Sequence, residues 1–294
     1  MEKLKISEIF YSAQGEGRFV GAPSVFLRTF GCNFKCAGFG LNRGEHTNEP
    51  DEIGKNVHLY KKFEDLPLAK YGCDSYASWH PAFKHLSPSY TVEEAVDAMV
   101  KLLPHNRWRQ PHGGDVHLVI TGGEPLLGWQ QLYPALLNEA RMRELRNLTF
   151  ETNGTQHVGR DLATWIHREW HHDGTMNLGR GYQTVTFSVS PKLSASGEKW
   201  QDAIKPEVIE EYQDYGHVYL KFVVSKLEDF EEVNQAVSEY RAKGFDGDVY
   251  VMPVGGTDTA YFENNKRVAD VALENGYRYS PRLHVDIWSN GWGK

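Results

Sequence analysis

The chain is poor in cysteine and has none of the long apolar runs that mark membrane proteins. Only three of its 294 residues are cysteines, and an odd number in so long a chain argues against a disulfide framework. No stretch approaches the ~18 apolar residues of a membrane-spanning helix, and residues 1–5 lack the apolar core of a secretory signal. We therefore expect a cytoplasmic protein that does not enter a membrane.

Basic residues are not concentrated in any run either. The net charge of −7 argues against a general surface for polyanions, so we expect no direct binding of nucleic acid. With 294 residues, of which 40% are hydrophobic, the chain can bury one large core. Nothing in the composition requires that the chain be divided into two domains, and we treat residues 1–294 as a single domain.

Apolar patterns of two kinds alternate along the chain. Runs rich in β-branched and aromatic residues predict strands at residues 4–10, 24–30, 116–121, 148–152, 184–189, 218–224 and 249–254. Amphipathic patterns between them predict helices at about 91–103, 130–143, 161–170, 228–243 and 263–275. The first of these helices opens with Thr91-Val92-Glu93-Glu94, a capping box. Such alternation predicts an α/β fold with a parallel sheet, either open or closed into a barrel.

Polar turns follow four of the predicted strands. Their sequences are Thr121-Gly122-Gly123-Glu124-Pro125, Glu151-Thr152-Asn153-Gly154-Thr155, Ser190-Pro191-Lys192 and Met252-Pro253-Val254-Gly255-Gly256-Thr257. Any one of them is ordinary turn chemistry, because glycine, proline, asparagine and serine commonly interrupt secondary structure. At the carboxyl ends of parallel strands, however, four such turns favour one shared pocket.

The three cysteines suggest an iron-sulfur site. Cys32 and Cys36 stand in Gly31-Cys32-Asn33-Phe34-Lys35-Cys36 directly after a predicted strand, and 36 residues lie between Cys36 and Cys73. Three thiolates can hold three irons of a 4Fe-4S cluster and leave the fourth open for a small molecule, whereas a cluster used only for electron transfer usually takes four cysteines. Two alternatives stay open. A zinc site completed by a histidine fits the usual spacings poorly, and the thiols could simply be buried in the core.

These residues together resemble the 7-carboxy-7-deazaguanine synthase family, whose members are radical S-adenosylmethionine enzymes. The resemblance runs from Ile6 to the C-terminus, and its most specific parts are Gln14-Gly15-Glu16-Gly17 and the tail His284-Val285-Asp286-Ile287-Trp288. Several features depart from the family pattern, among them Ser75 in place of a threonine and Gly72 where many relatives have an aromatic residue. The third cysteine normally follows two residues after the second, and insertions occupy about 37–72 and 156–183. The first insertion is polar and charged, so a lid, a partner surface and a solvated excursion are all open for it.

The resemblance implies an α/β fold of the radical S-adenosylmethionine superfamily, a partial or incomplete TIM-type barrel. It implies a carbon–nitrogen lyase that contracts the ring of 6-carboxy-5,6,7,8-tetrahydropterin to 7-carboxy-7-deazaguanine with release of ammonia, in 7-deazaguanine (queuosine-type) biosynthesis. It also implies an electron donor such as flavodoxin or ferredoxin, and a homodimer. Two alternatives stay open: another radical S-adenosylmethionine enzyme, such as a glycyl-radical activase, and a non-enzymatic metal-bound interaction module.

On the cofactor side, the resemblance implies that Cys32, Cys36 and Cys73 hold a 4Fe-4S cluster. The residues implied to line S-adenosylmethionine are Gly72, Cys73, Asp74, Gly123, Glu124, Ser190, Pro191, Lys192, Met252, Pro253, Val254 and Gly255. Glu124 would accept a hydrogen bond from the methionine ammonium group. Without the resemblance, it would be an exposed turn carboxylate.

On the substrate side, the residues implied to contact the pterin are Ala13, Gln14, Gly15, Glu16, Arg28, Thr121 and His284. Gln14 and Glu16 can match the donors and acceptors of a guanine-like edge, and Arg28 can pair with the substrate carboxylate. Without the resemblance, Arg28 would point to solvent from an edge strand and His284 would be a hydrogen-bonded strand histidine. Mg²⁺ would bind Ser75, which stands where the family has threonine and keeps the hydroxyl.

Overall fold

A computed structural model describes residues 2–169, 184–255 and 257–294. Over these residues the chain forms one nine-stranded sheet with helices beside it. The strands are β1 Leu4–Ala13, β2 Pro23–Thr29, β3 Ser89–Tyr90, β4 His117–Gly122, β5 Asn147–Thr152, β6 Thr184–Val189, β7 His217–Val224, β8 Val249–Pro253 and β9 Arg278–Tyr279.

The α-helices alternate with the strands from β3 onwards. They are α1 Glu49–Lys55, α2 Val92–Leu102, α3 Tyr133–Asn138, α4 Arg160–Glu169, α5 Trp200–Ala203, α6 Pro206–Gln213, α7 Asp229–Ala242, α8 Asp258–Glu274 and α9 Leu283–Trp288. None of the helices in the described ranges is both long enough and apolar enough to span a bilayer.

The sheet is mixed but mostly parallel, which confirms the predicted α/β class. Its strand order is β3-β1-β2-β4-β5-β6-β7-β8-β9. Neighbouring strands run parallel from β2 through β9, whereas β1 is antiparallel to both β2 and β3. Each predicted strand is present to within a few residues. The two additional strands, β3 and β9, have two residues each and are too short to leave an alternating pattern in the sequence.

The two faces of the sheet differ in polarity because successive side chains point to opposite sides. Leu118 and Ile120 of β4, and Leu220 and Phe222 of β7, are fully buried in the main apolar core. The intervening Lys221 lines a cavity on the other side, with the polar residues of neighbouring strands. One side of these strands therefore builds the main core, whereas the other side carries both polar residues and a small apolar cluster of Phe10, Phe26 and Val119.

The helix predicted at 130–143 is wrong as a single element. The chain instead forms a 3-10 turn at Gln130–Leu132, the short helix α3 and a second 3-10 turn at Ala140–Met142. Pro134 fits only the first turn of an α-helix, because proline has no backbone N–H and its ring clashes with a preceding turn. The chain turns again at Glu139, which has extended dihedral angles and caps the next turn.

The first insertion, residues 37–72, is not a solvated excursion. Phe63 and Leu66 lie in a second apolar cluster together with Tyr76 and Phe83, which follow the insertion. Trp292 from the end of the chain packs edge-on against Phe63 and Tyr76, and its indole donates a hydrogen bond to the Leu66 carbonyl at 3.1 Å. The insertion is therefore held in place by a core of its own. Of the second insertion, residues 170–183 lie outside the described residues.

The capping box predicted at the start of α2 is present and gives a direct test of the fold. Glu94 N donates to Thr91 Oγ1 at 3.2 Å, and Thr91 N donates to Glu94 Oε2 at 2.7 Å. Loss of a threonine N-cap typically costs about 1 kcal/mol, so we expect Thr91→Ala to lower the free energy of unfolding, measured by urea denaturation, by about that amount.

Thr164→Ala serves as the control for this variant, because Thr164 is an exposed interior residue of α4. Alanine has the higher helix propensity, so this change should leave stability unchanged or slightly increased. An equal loss in both variants would contradict the capping role of Thr91.

Candidate active site

A cavity of about 250 Å³ lies at the ends of the central strands. All four polar turns that were expected to share a pocket contribute to its wall, through Gly123, Asn153, Ser190 and Met252 among others. Its volume suits a small molecule rather than a folded partner.

The cavity gathers nearly all of the residues that the sequence singled out. The predicted residues that line it are Ala13, Gln14, Gly15, Glu16, Arg28, Cys32, Cys36, Gly72, Cys73, Asp74, Ser75, Thr121, Gly123, Ser190, Lys192, Met252, Pro253, Val254, Gly255 and His284. Two predicted residues do not line it. Pro191 is buried beside it, and Glu124 is fully buried behind the turn that follows β4.

Glu124 is not an exposed turn carboxylate. Its oxygens accept hydrogen bonds from Thr152 Oγ1 at 2.7 Å, from Asn153 N at 2.7 Å and from Leu126 N at 3.0 Å. Burial raises the pKa of this carboxyl, although the three donors oppose the shift. In this arrangement Glu124 joins the turn after β4 to the end of β5, and its contact with a methionine ammonium stays a prediction.

The three cysteines occupy one end of the cavity as free thiols. Cys36 has a φ of +50°, which is unusual for a residue other than glycine, and its amide donates to Glu198 Oε1 at 2.8 Å. The turn after β4 packs directly on this loop: a Cβ added at Gly123 would lie 2.4 Å from the Gly31 carbonyl oxygen. Only glycine allows that backbone contact.

Burial keeps all three thiols protonated. It raises the pKa of Cys32 to about 12 and that of Cys73 to about 11, and it raises the pKa of Cys36 well above its ordinary value. Lys192 opposes these shifts without reversing them. A buried thiolate needs a nearby positive charge, which a bound metal would supply, so metal binding at these thiols would be coupled to proton release.

The donor set fits an iron-sulfur cluster better than a single ion. Within the described ranges, no group of three or more His, Cys, Asp or Glu side chains is close enough together to hold one metal ion. A 4Fe-4S cluster has a different requirement, because each cysteine binds a separate iron at a corner of the cube. Three free thiols around one cavity meet that requirement.

The same cavity holds a largely buried ion network centred on Glu16. Its Oε1 lies 2.9 Å from Arg282 Nε, and its Oε2 lies 2.5 Å from Lys221 Nζ. Burial alone would favour the neutral acid, but Lys221 and Arg282 outweigh it and hold the pKa of Glu16 well below its usual range. Glu16 is therefore a permanent carboxylate in this site.

Gln14 and Gly15 fill the space between this network and the strand ends. Gln14 Nε2 donates to Glu151 Oε1 at 3.0 Å, and Gln14 Oε1 accepts from Glu16 N at 3.2 Å. A Cβ added at Gly15 would lie only 2.1 Å from His284 Nδ1, so glycine is required there. His284 belongs to helix α9 rather than to a strand, and burial, assisted by Arg282, lowers its pKa to about 4. His284 is therefore neutral near pH 7.

Arg28 does not point to solvent from an edge strand, because β2 lies between β1 and β4. Its side chain is 18% exposed, and its Nε lies 3.0 Å from Glu8 Oε2, directly across the β1–β2 pair, although not aligned for a hydrogen bond. Its Nη1 donates to Ser75 Oγ at 3.0 Å, and Ser75 Oγ in turn donates to Asp74 Oδ1 at 3.3 Å. Arg28 thus sits inside the cavity wall.

Sequence reasoning missed several charged or aromatic residues of the wall. Those residues are Glu8, Trp79, Glu151, Lys221 and Arg282. Two signals were available. Glu8 is separated from Phe10, Ser12 and Gln14 by even numbers of positions. Strand alternation therefore predicts that Glu8 faces the same side of the sheet as these residues. Lys221 is a lone lysine in an apolar run that must be buried on both sides.

The fold and the cavity together define a class of protein. It is an α/β protein with a mostly parallel sheet, and a cavity at its strand ends is lined by three free thiols and by a largely buried ion network. QueE from Escherichia coli shares this fold, with a TM-score of 0.53 at 18% identity over 96% of this chain and 95% of that one.

The particular family follows from the sequence comparisons. The chain is 31% identical over 296 residues to the 7-carboxy-7-deazaguanine synthase of Halobacterium salinarum, covering 98% of this chain and 91% of that protein. It is 29% identical over 292 residues to the 7-carboxy-7-deazaguanine synthase of Pyrobaculum aerophilum, covering 99% and 98%. No protein-family model matches the chain. The chain belongs to the 7-carboxy-7-deazaguanine synthase family, as the sequence motifs predicted.

The raised thiol pKa values predict slow alkylation of the protein without bound iron. Because iodoacetamide reacts with the thiolate, Cys73 with a pKa of about 11 should react on the order of a hundredfold more slowly near pH 8 than a thiol at its ordinary pKa. The rate at each cysteine is measured by mass spectrometry of the modified peptides. The same protein in urea is the control, and equal rates in the folded and unfolded protein would contradict the buried, neutral thiols.

Proposed function

We propose that this protein catalyses ring contraction of 6-carboxy-5,6,7,8-tetrahydropterin to 7-carboxy-7-deazaguanine with release of ammonia, as a carbon–nitrogen lyase of 7-deazaguanine (queuosine-type) biosynthesis. One observation carries the proposal. A single cavity is lined both by three free thiols and by Gln14, Glu16 and Arg28, in a chain that is 31% identical to a 7-carboxy-7-deazaguanine synthase over nearly its full length.

The proposal includes an incomplete TIM-type barrel of the radical S-adenosylmethionine superfamily. The parallel run from β2 through β9, the helices packed on one face and the cavity at the strand ends support it. In barrels of this kind the loops after the strands build the active site. A pocket at that rim excludes water from the reacting groups, which radical chemistry needs.

Cys32, Cys36 and Cys73 would hold the 4Fe-4S cluster in the proposed enzyme. S-adenosylmethionine would lie against the turns that contain Gly123 and Met252, which line the same cavity. When bound, the cluster and S-adenosylmethionine supply the hydrogen-atom abstraction that starts the ring contraction. The chain's own part is to hold the cysteine loop, through Glu198 and the backbone contact at Gly123.

The charged end of the cavity would bind the pterin. Arg28 is anchored by Glu8 and Ser75 and has further guanidinium N–H groups available to pair with the substrate carboxylate. The ionised Glu16 can accept hydrogen bonds from the guanine-like edge, and Gln14 fixes the backbone beside it. These contacts would orient the carbon that bears the carboxylate towards the thiol end.

Mg²⁺ and the remaining partners belong to the same proposal. Ser75 Oγ lies in the cavity wall between Arg28 and Asp74. A hydroxyl is a suitable ligand for Mg²⁺, which takes few protein ligands and relies on substrate oxygens and water. An electron donor such as flavodoxin or ferredoxin would reduce the cluster, in a cytoplasmic homodimer.

Anaerobic reconstitution with iron and sulfide tests the proposal. We expect a brown protein that cleaves S-adenosylmethionine under reducing conditions and converts the pterin to product, with lower activity when Mg²⁺ is chelated. A glycyl-radical activase would cleave S-adenosylmethionine and leave the pterin unchanged. A metal-bound interaction module would do neither, so either result would overturn the proposal.

The long separation of Cys73 from the other cysteines makes it the most informative ligand to change. We expect Cys73→Ala to lose both the absorbance of the 4Fe-4S cluster and all activity, because a cluster held by two cysteines is incompletely bound. Lys35→Ala is the matched control, since Lys35 is exposed within the cysteine loop. A full cluster and normal activity in Cys73→Ala would show that the assigned ligand set is wrong.

Arg28→Ala tests the substrate end separately from the cluster. Truncating one partner of a desolvated charge pair costs about 2 to 5 kcal/mol, so the KM for the pterin should rise at least tenfold. Cluster content and S-adenosylmethionine binding should stay normal, and Arg28→Lys should recover only part of the loss because it lacks the planar fork.

Arg18→Ala is the control for Arg28→Ala. Arg18 is an exposed arginine outside the wall of this cavity, and its loss should leave the KM unchanged. If Arg28→Ala also had an unchanged KM, the substrate carboxylate would be held by another group, with His284 and Lys192 as the next candidates.

A further inference from the structure

We infer that Arg282 is a positioning residue that fixes the substrate end of the cavity relative to the cofactor end. The inference rests on the proposed function, since it assigns Arg282 a role in the same cavity. Arg282 comes from the segment between β9 and α9, and the sequence motifs assigned it no role.

The guanidinium group of Arg282 joins three separate segments of the wall. Its Nε donates to Glu16 Oε1 at 2.9 Å, its Nη2 donates to Asp74 Oδ2 at 2.5 Å, and its Nη1 donates to the Gly255 carbonyl. Glu16 follows β1, Asp74 follows the third cysteine, and Gly255 follows β8. A planar fork with five N–H donors can make these contacts at once, and a lysine cannot.

Arg282 is itself held firmly. Its side chain is 6% exposed, and its backbone N–H donates to the hydroxyl of the buried Tyr261 at 3.1 Å. The backbone on either side of Arg282 is also held by hydrogen bonds. Ser280 N donates to Val251 O at 2.9 Å, and Leu283 N donates to Gly15 O at 2.9 Å. The backbone that carries the guanidinium group is therefore fixed in position, as a positioning residue requires.

Charge balance shows what the loss of Arg282 would do. Glu16 and Asp74 are both carboxylates and repel each other. With Arg282 present, two cations, Arg282 and Lys221, face these two anions, and a third carboxylate, Glu151, also interacts with Lys221. Without it, Lys221 still pairs with Glu16, but Asp74 keeps only its hydrogen bond from the neutral Ser75 hydroxyl. The two carboxylates would then move apart. The pterin and S-adenosylmethionine would no longer be held at a fixed distance and orientation to each other.

The expected consequence is uncoupling rather than simple inactivity. A reacting group misplaced by about 1 Å can lower the rate on the order of a hundredfold. In the proposed reaction S-adenosylmethionine is regenerated, so release of 5′-deoxyadenosine without product measures misplacement. A residue with only a structural role would lower cluster content and both activities together.

The test compares Arg282→Gln and Arg282→Lys with the unchanged protein, each after anaerobic reconstitution. For Arg282→Gln we expect normal iron and sulfide content, at least tenfold weaker direct binding of the pterin, a correspondingly raised KM, and several-fold more 5′-deoxyadenosine per product. Arg282→Lys should recover only part of this loss, because it keeps the charge and can reach only some of the partners.

Arg278→Gln is the matched control. Arg278 lies on β9, its side chain is 62% exposed, and its Nε pairs with Asp248 at 3.2 Å outside the cavity wall. This variant should match the unchanged protein in every measurement. A wild-type ratio of 5′-deoxyadenosine to product in Arg282→Gln, together with unchanged pterin binding, would overturn the positioning role.

A double-mutant cycle covers the case in which Arg282→Gln folds poorly. Asp74→Asn and Arg282→Gln remove the two ends of one contact, so their effects on pterin binding should be less than multiplicative when combined. Fully multiplicative effects would contradict the shared contact. The two proposals fail differently: an unchanged protein that does not convert the pterin overturns the proposed function, whereas normal conversion with normal Arg282 variants overturns only the positioning role.

Discussion

The buried pairing of Glu16 with Lys221 and Arg282 is the constraint on which the site depends. The segment 14–17 follows β1 and contacts the residue after β9, the far edge strand of the sheet, because Gly17 N donates to Ser280 Oγ at 2.8 Å. Ions removed from water carry a large desolvation cost and are tolerated only when well paired. The pairing therefore specifies where this segment lies, and the substrate end of the cavity takes its shape from that position.

Burial disfavours the charged form both at Glu16 and at the three thiols, but the outcome differs because the nearby cations differ. At the charged end, the chain supplies its own cations, and Glu16 stays ionised despite desolvation. At the thiol end, Lys192 is too weak an influence to ionise Cys32, Cys36 or Cys73. The substrate end is thus electrostatically complete in the chain alone, whereas the thiol end needs positive charge from outside. An iron-sulfur cofactor would supply that positive charge.

Local sequence patterns were sufficient to predict most of the secondary-structure elements. They were not sufficient to predict the contacts between those elements. The strands and the capping box at Thr91 were predictable because alternation and cap chemistry are local signals. The pairing of Arg28 with Glu8 was not, because it depends on β1 and β2 being neighbours in an antiparallel pair. The burial of Glu124 likewise follows from donors on the next strand, Thr152 and Asn153, and no residue near Glu124 in the sequence reveals them.

The structure shows how Cys73 can lie near Cys32 and Cys36 although 36 residues separate Cys36 from Cys73. The two ends of the insertion lie next to each other, because Gly72 N donates to the Phe39 carbonyl at 2.9 Å. The start of the insertion is also closed on itself, since Thr47 N donates to the Ala37 carbonyl at 2.8 Å. Cys73 is therefore returned beside the cysteine loop it would have followed directly in a compact chain. The entropic cost of closing a longer loop grows only slowly with its length, and the apolar cluster around Phe63 and Leu66 offsets it. A long insertion can thus separate two cysteines in sequence while both still line one cavity.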